Sequence, residues 1–377
     1  MLDQPTDQAS PSPAPDVVAL VFTGRGGEYF RIWVVNVFLT LVTFGLYTAW
    51  AKVRKAKYFR QNTRLDDHVF DYHGKPIAIL RGRIVALLML AAYTWAFEFS
   101  NAAGTITLIM LCAIGPWLFM RAQQFSLGNT SFRGLRFGFQ GERAEAYRTV
   151  LPVLVVWLGP TVAAAFGRVD SWQFWTLTAA SVLGWPWMHH RLKAYQLRNA
   201  FYGDRRFAFT PCPGRFFWLY VKGFVLVLLA VVTAAAITTA VTWSSRREPD
   251  NLFSSPLVVF LYGALLGLVA YVAAWPYLAA RLQQVVWART QLGDMRFRTE
   301  IKAGPLFRLV LTNVTLTILS IGLYWPWAAV ALARYRIECV RVESITPVSL
   351  AATTIPARNV SAAGDGAADA FGFDVGL

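Results

Sequence analysis

One apolar phrase occurs twice, 277 residues apart: FRIWVVNVFLTLVTFGLYTAW from Phe30 to Trp50 and FRLVLTNVTLTILSIGLYWPW from Phe307 to Trp327. In that register Phe30, Arg31, Asn36, Val37, Leu39, Thr40, Gly45, Leu46, Tyr47, Trp50, Ala51, Val53, Ala56 and Tyr58 each meet their own residue type, 14 identities over 29 positions. Shared apolar composition does not produce that many. Each copy is long enough to cross a bilayer, since roughly 20 helical residues span about 30 Å of hydrocarbon. Yet basic sequence flanks each copy on both sides, so both ends of each copy carry the sequence character of a cytoplasmic segment.

Six further apolar runs stand near 84 to 98, 102 to 120, 148 to 166, 172 to 188, 217 to 243 and 256 to 280. Hydrophobic residues make up 56% of the chain and charged residues 15%, against about a quarter charged in soluble domains. The chain reads as a multi-pass membrane protein. Residues 1–20 are expected to be disordered, 21–349 to form a repeat-built transmembrane domain, and 350–377 to be a disordered tail; the first seventeen residues hold no Lys or Arg and no secretory h-region.

The net charge of +15 is compatible with nucleic acid, but its placement excludes that reading. The short loops between paired spans hold only Arg168, Arg246 and Arg247, and the other basic residues lie almost all in segments joining one pair to the next. The positive-inside rule puts those segments in the cytoplasm. Within them, Lys52, Arg54, Lys55 and Lys57 alternate with aromatics in WAKVRKAKYFR, a pattern that suits anionic lipid headgroups.

Those joining segments repeat. Each runs from Trp, usually with Pro, through a basic helix to a short strand pair around Phe; Asn62, Asn129, Asn199 and Arg289 align, as do Phe70, Phe137, Phe207 and Phe297, always eight residues apart. The turn residues GN, GD and DD predict hairpins. Two strands alone are marginal in water, so the hairpins are expected to combine into one cytoplasmic sheet. The fold class expected is an all-α polytopic membrane protein of repeated two-span helical units with small cytoplasmic β-hairpins, flanked by the two related segments.

For those segments two topologies stay open. One is re-entrant, with a break near Thr43, Phe44 and Gly45 (Ser320, Ile321 and Gly322 in the second copy), capped by Asn36 and Asn313. The other is one tilted full span each. A broken backbone at membrane depth requires its amides to be satisfied.

The stretch GEYFRIWVVNVFLTLVTFGLYTAWAKVRKAKYFRQNT resembles the signature of the YjgN family, bacterial inner-membrane proteins of unknown function, and the resemblance extends over about residues 20 to 345. It implies a location and supplies no activity, catalytic residue or cofactor. In the second copy Lys52, Arg54 and Lys55 become Ala329, Ala331 and Leu332.

Chemistry-bearing residues are sparse. His189 and His190 sit in a basic helix with no Cys or carboxylate beside them, and the DDHVFDYH cluster is not repeated in the other hairpins. The three cysteines, Cys112, Cys212 and Cys339, lack CxxC spacing, and no serine elbow or phosphate loop is present. Neither cofactor nor catalysis is expected. Intramembrane polar groups are costly, and Asn36, Thr40, Tyr47, Asn313, Thr317 and Tyr324 form two matching sets, on one face if each helix is continuous. They are the candidates for a solute path, and the null is helix packing. Two functions follow: a channel or transporter for a small solute, or a non-catalytic scaffold binding anionic lipid or a partner, either a second copy or another membrane protein.

Overall fold

The computed structural model describes residues 16–167, 169–245 and 256–344. The expected C-terminal tail, most of the expected N-terminal disorder, and Arg168, Arg246 and Arg247 lie outside the described residues. The chain opens with strand β1 (Asp16–Phe22), so ordered structure begins before residue 21.

Helix α1 (Gly26–Val42) turns into α2 (Thr48–Gln61). Hairpin β2 (Thr63–Leu65) and β3 (His68–Tyr72) leads to α3 (Pro76–Phe99) and α4 (Asn101–Gly128). Hairpin β4 (Thr130–Phe132) and β5 (Leu135–Phe139) leads to α5 (Arg143–Ala165) and α6 (Trp172–Arg198). Hairpin β6 (Ala200–Tyr202) and β7 (Arg205–Phe209) leads to α7 (Pro213–Ser245) and α8 (Pro256–Trp287). Hairpin β8 (Thr290–Leu292) and β9 (Met295–Thr299) leads to α9 (Ala303–Leu319), α10 (Trp325–Glu338) and β10 (Val340–Ser344).

The six long runs all form helices, of which α3, α4, Arg143–Ala164 of α5 and Pro213–Thr233 of α7 are long and apolar enough among the described residues to cross a membrane. Ser100 caps α4 by accepting from the Ala103 amide at 3.0 Å, and Ser171 caps α6 by accepting from Phe174 at 3.3 Å. These caps let the chain reverse between long helices.

The all-α expectation is overturned by the strands, which close into a ten-stranded antiparallel barrel in the order β1-β10-β9-β8-β7-β6-β5-β4-β3-β2. Four hairpins are continuous. The fifth is split between the ends of the chain, with Asp16 opposite Ser344 and Ala19 opposite Arg341. An open sheet of such short strands would leave unpaired edges, and closure removes them.

One backbone bond recurs at all five junctions between hairpins: Thr23 to Asn62, His73 to Asn129, Gln140 to Asn199, Thr210 to Arg289 and Glu300 to Cys339, each amide donating over 2.8 to 3.0 Å. The repeat is therefore fivefold, one unit more than sequence alignment of the hairpins suggests. In the second unit the turn is Arg133–Gly134, both at positive φ. Gly128–Asn129 ends α4 instead, with the Asn129 side chain donating to the Phe125 carbonyl at 2.8 Å.

Strand alternation fills the barrel with Leu65, Phe132, Tyr202, Leu292, Met295 and Val342, joined by Phe70, Phe137, Phe207 and Phe297. Phe70 stacks on Phe132 at 4.6 Å, and the Tyr202 hydroxyl donates to the Phe132 carbonyl at 2.9 Å. The centre of the barrel is thus an aromatic core. Each helix packs on the next in chain order, and α10 packs on α1, so the helices form a ring. Equivalent positions Ala49, Pro116, Pro186, Pro276 and Pro326 are all buried, the first and last in the first turns of α2 and α10 and the other three inside α4, α6 and α8.

Candidate functional site

The duplicated segments are helical hairpins, each beginning and ending at the barrel. A single continuous helix over 30–50 does not form: α1 stops at Val42 and α2 starts at Thr48. Phe44 and Ile321 adopt φ of 49° and 52°, followed by Gly45 at 90° and Gly322 at 87°. A left-handed residue there ends the helix, and glycine takes that conformation without a Cβ penalty.

The break saturates its own amides. Thr43 N donates to Leu39 O, Phe44 N to Leu41 O, Gly45 N to Thr40 O at 2.8 Å, Leu46 N to Thr43 O and Thr48 N to Gly45 O. The Tyr47 amide donates to the Thr43 hydroxyl oxygen at 3.0 Å. The second copy matches: Gly322 N to Thr317 O at 2.7 Å, and Tyr324 N to Ser320 Oγ at 2.9 Å. The caps are therefore Thr43 and Ser320, not Asn36 and Asn313. Their signal was in the sequence, as a hydroxyl residue two positions before each of the duplicated glycines.

The six solute-path candidates are not gathered on one face, because the break falls between Thr40 and Tyr47 and between Thr317 and Tyr324. Asn313 is buried and donates from Nδ2 to the Ala328 carbonyl of its own hairpin at 3.5 Å, while the Thr317 hydroxyl donates to Asn313 O at 2.7 Å. Asn36 is buried, and its Oδ1 and the Tyr47 hydroxyl have no hydrogen-bond partner among the described residues. In the ring α10 stands between α9 and α1, so it separates the helices that carry the two asparagines.

The hairpins meet through α1 and α10. Phe30 lies 4.7 Å from the Trp327 ring, and a Cβ on Gly26 would approach Trp327 Cδ1 to 2.2 Å. At their base, Tyr58 accepts from Arg25 N at 2.8 Å and donates to Arg25 O; Tyr335 does the same for Lys302 at 3.2 and 3.1 Å. Burial raises both phenols above their ordinary range, which keeps them protonated and able to donate.

A second repeated feature lies on α2 and on the C-terminal parts of α4, α6 and α8. Arg54 lies over the Tyr47 ring at 5.5 Å, Arg121 over Trp117 at 5.6 Å, Arg191 over Trp187 at 4.7 Å and Arg281 over Tyr277 at 5.9 Å. All four arginines occupy one position of the repeat, eight residues before Asn62, Asn129, Asn199 and Arg289; the fifth unit has Ala331. Of the residues predicted for headgroups, only Arg54 belongs to this set, with Lys55 and Lys57 exposed on the same helix and Lys52 half-buried. Arg121, Arg191 and Arg281 were missed, although an aromatic four residues earlier is a readable signal for stacking on one helix face.

The histidines are held by protein groups. His190 Nε2 accepts from the Cys212 amide at 3.1 Å, His189 Nδ1 lies 2.6 Å from the Tyr220 hydroxyl, and His73 Nε2 lies 2.8 Å from Ser131 Oγ. Among the described residues no three His, Cys, Asp or Glu side chains converge as metal ligands.

Comparison with known proteins agrees with the membrane architecture. The chain is 26% identical over 363 residues to the inner membrane protein YjgN of Salmonella typhimurium, covering 86% of this chain and 88% of that protein. It is 28% identical over 127 residues to inner membrane protein YjgN of Escherichia coli K12, covering 32% of this chain and 31% of that one. No solved structure matches. The family model described as bacterial protein of unknown function (DUF898) matches residues 18–370. With that match over most of its length, the chain belongs to the DUF898 family.

Proposed function

We propose that this inner-membrane protein is a non-catalytic scaffold that grips anionic lipid headgroups around the rim where its helices leave the bilayer. The observation that carries this is an arginine at one repeat position lying over an aromatic ring in four of five units, the ring four residues earlier in three of them and seven earlier in the first. Trp and Tyr favour the membrane interface, and a cation beside them meets headgroup phosphate. In this reading the barrel is cytoplasmic, and the terminal hairpins enter the membrane and return without crossing.

The test is the combined variant Arg54→Gln, Arg121→Gln, Arg191→Gln and Arg281→Gln in nanodiscs with and without phosphatidylglycerol. The native protein is expected to gain thermal stability from the anionic lipid, and the variant to lose most of that gain while staying monodisperse. Each cation is worth about 1 kcal/mol near an anionic surface. An unchanged gain would rule the reading out.

A small-solute path is the second reading, favoured by the unpartnered Asn36 Oδ1 and Tyr47 hydroxyl. It predicts that Asn36→Ala abolishes solute flux in reconstituted vesicles without loss of monodispersity, whereas a packing role predicts a stability change and no flux in either protein.

A further inference from the structure

In the ring α9, α10, α1 and α2 are consecutive, and all four belong to the short hairpins. Arg31 and Arg308, at matching positions, are the last charged residues before the tips; on the return legs the first charged residues are Lys52, one turn into α2, and Arg334 on α10. Beyond them Ile32 to Val42 and Leu309 to Leu319 are 11 residues each, a rise of about 16 Å, close to half of roughly 30 Å of hydrocarbon. By contrast α3 runs 16 residues past Arg83, and α7 runs 23 past Lys222, rises of about 24 and 35 Å.

The tips are almost fully exposed, Phe44 at 97% and Ile321 at 95%, with Leu41, Leu46, Leu319 and Leu323 beside them. Every amide from Thr43 to Thr48 has an acceptor within its own turn, as does every amide from Ser320 to Trp325. The amides of this turn thus need neither water nor a protein cover in hydrocarbon, although among the described residues no backbone amide donates to the carbonyls of Val42, Phe44, Leu319 and Ile321.

We propose that this sector is a lipid bay: the hairpin tips stop near the bilayer midplane, and the acyl chains of far-leaflet phospholipids rest on a floor centred on Phe44 and Ile321. The floor is continuous in character with the exposed apolar surface of α3 and α7, which faces lipid in any membrane placement of these helices. The tip hydroxyls of Thr43, Thr48 and Ser320 are half-buried and donate to carbonyls of their own hairpin, which leaves the exposed floor apolar. The proposal rests on the re-entrant placement of the hairpins and is independent of headgroup binding at Arg121, Arg191 and Arg281, whereas Arg54, stacked on Tyr47 three residues past Phe44, belongs to the hairpin itself.

The experiment uses the unmodified protein in nanodiscs carrying phosphatidylethanolamine with a diazirine at the end of an acyl chain. After irradiation, lipid adducts are expected on residues 41–46 and 319–323 as well as on Leu87 and Leu88 of α3. Adducts on α3 with none on the tips would overturn the bay. Independently, Phe44→Cys in a background lacking Cys112, Cys212 and Cys339 carries a spin label. Oxygen is expected to relax it more strongly than a water-soluble nickel chelate does, with a depth about 15 Å below the phosphates. Dominance of the chelate would mean an aqueous vestibule, and silence to both would mean that protein, such as a second copy, covers the tip. A failure of phosphatidylglycerol to stabilise the protein would sink the headgroup reading and leave both of these readouts unchanged.

Discussion

Ending the chain after Cys339 is expected to leave no monodisperse protein in detergent, although only β10 is lost from the described structure. That strand pairs with β1 from Asp16 opposite Ser344 to Ala19 opposite Arg341, and with β9 from Val340 opposite Thr299 to Glu343 opposite Arg296. It also places Val342, 1% exposed, in the barrel core. Without it β1 and β9 become two open edges, and unpaired strand edges recruit other chains. A chain ended at Leu350 keeps all of β10 and serves as the control. Size-exclusion profiles decide the matter: equal monodisperse peaks from both truncations would show that closure is not what holds the barrel.

Phe132→Ala is expected to destabilise the protein by about 3 to 5 kcal/mol, the usual cost of emptying a buried phenylalanine site. Phe132 is 4% exposed, stacks on Phe70 and lies 6.2 Å from the Tyr202 ring. Phe44→Ala removes the same group from a site that touches almost nothing in the chain, so its effect in detergent is expected to stay within about 0.5 kcal/mol. Unfolding of the two variants in parallel measures the difference. Similar losses for both would mean that Phe44 is packed against protein, contrary to its exposure.

The contrast between these two phenylalanines also shows how far the sequence could be read. Both stand in duplicated or repeated phrases, and nothing in either phrase tells a barrel core from an exposed tip. Burial depends on which strands and helices come together, and a three- or five-residue strand carries no mark of its partner. Likewise Asn36 and Asn313, as polar residues in apolar runs, drew attention as caps, whereas Thr43 and Ser320 do that work because the left-handed turn brings their hydroxyls to the Tyr47 and Tyr324 amides.

By itself the sequence determined what local chemistry decides: six long apolar helices, hairpin turns at Asp66–Asp67, Gly203–Asp204 and Gly293–Asp294, and basic residues gathered in the segments that join one pair of spans to the next; it left the break at each duplicated glycine open against a continuous span. Those features depend on neighbours within a few positions. The tertiary structure alone decided that the hairpins close into a barrel, that its fifth hairpin joins strands from opposite ends of the chain, and that four arginines lie over aromatic rings. Closure pairs residues more than 300 positions apart, and such pairing is fixed by the geometry of all ten strands together rather than by the side chains of any one.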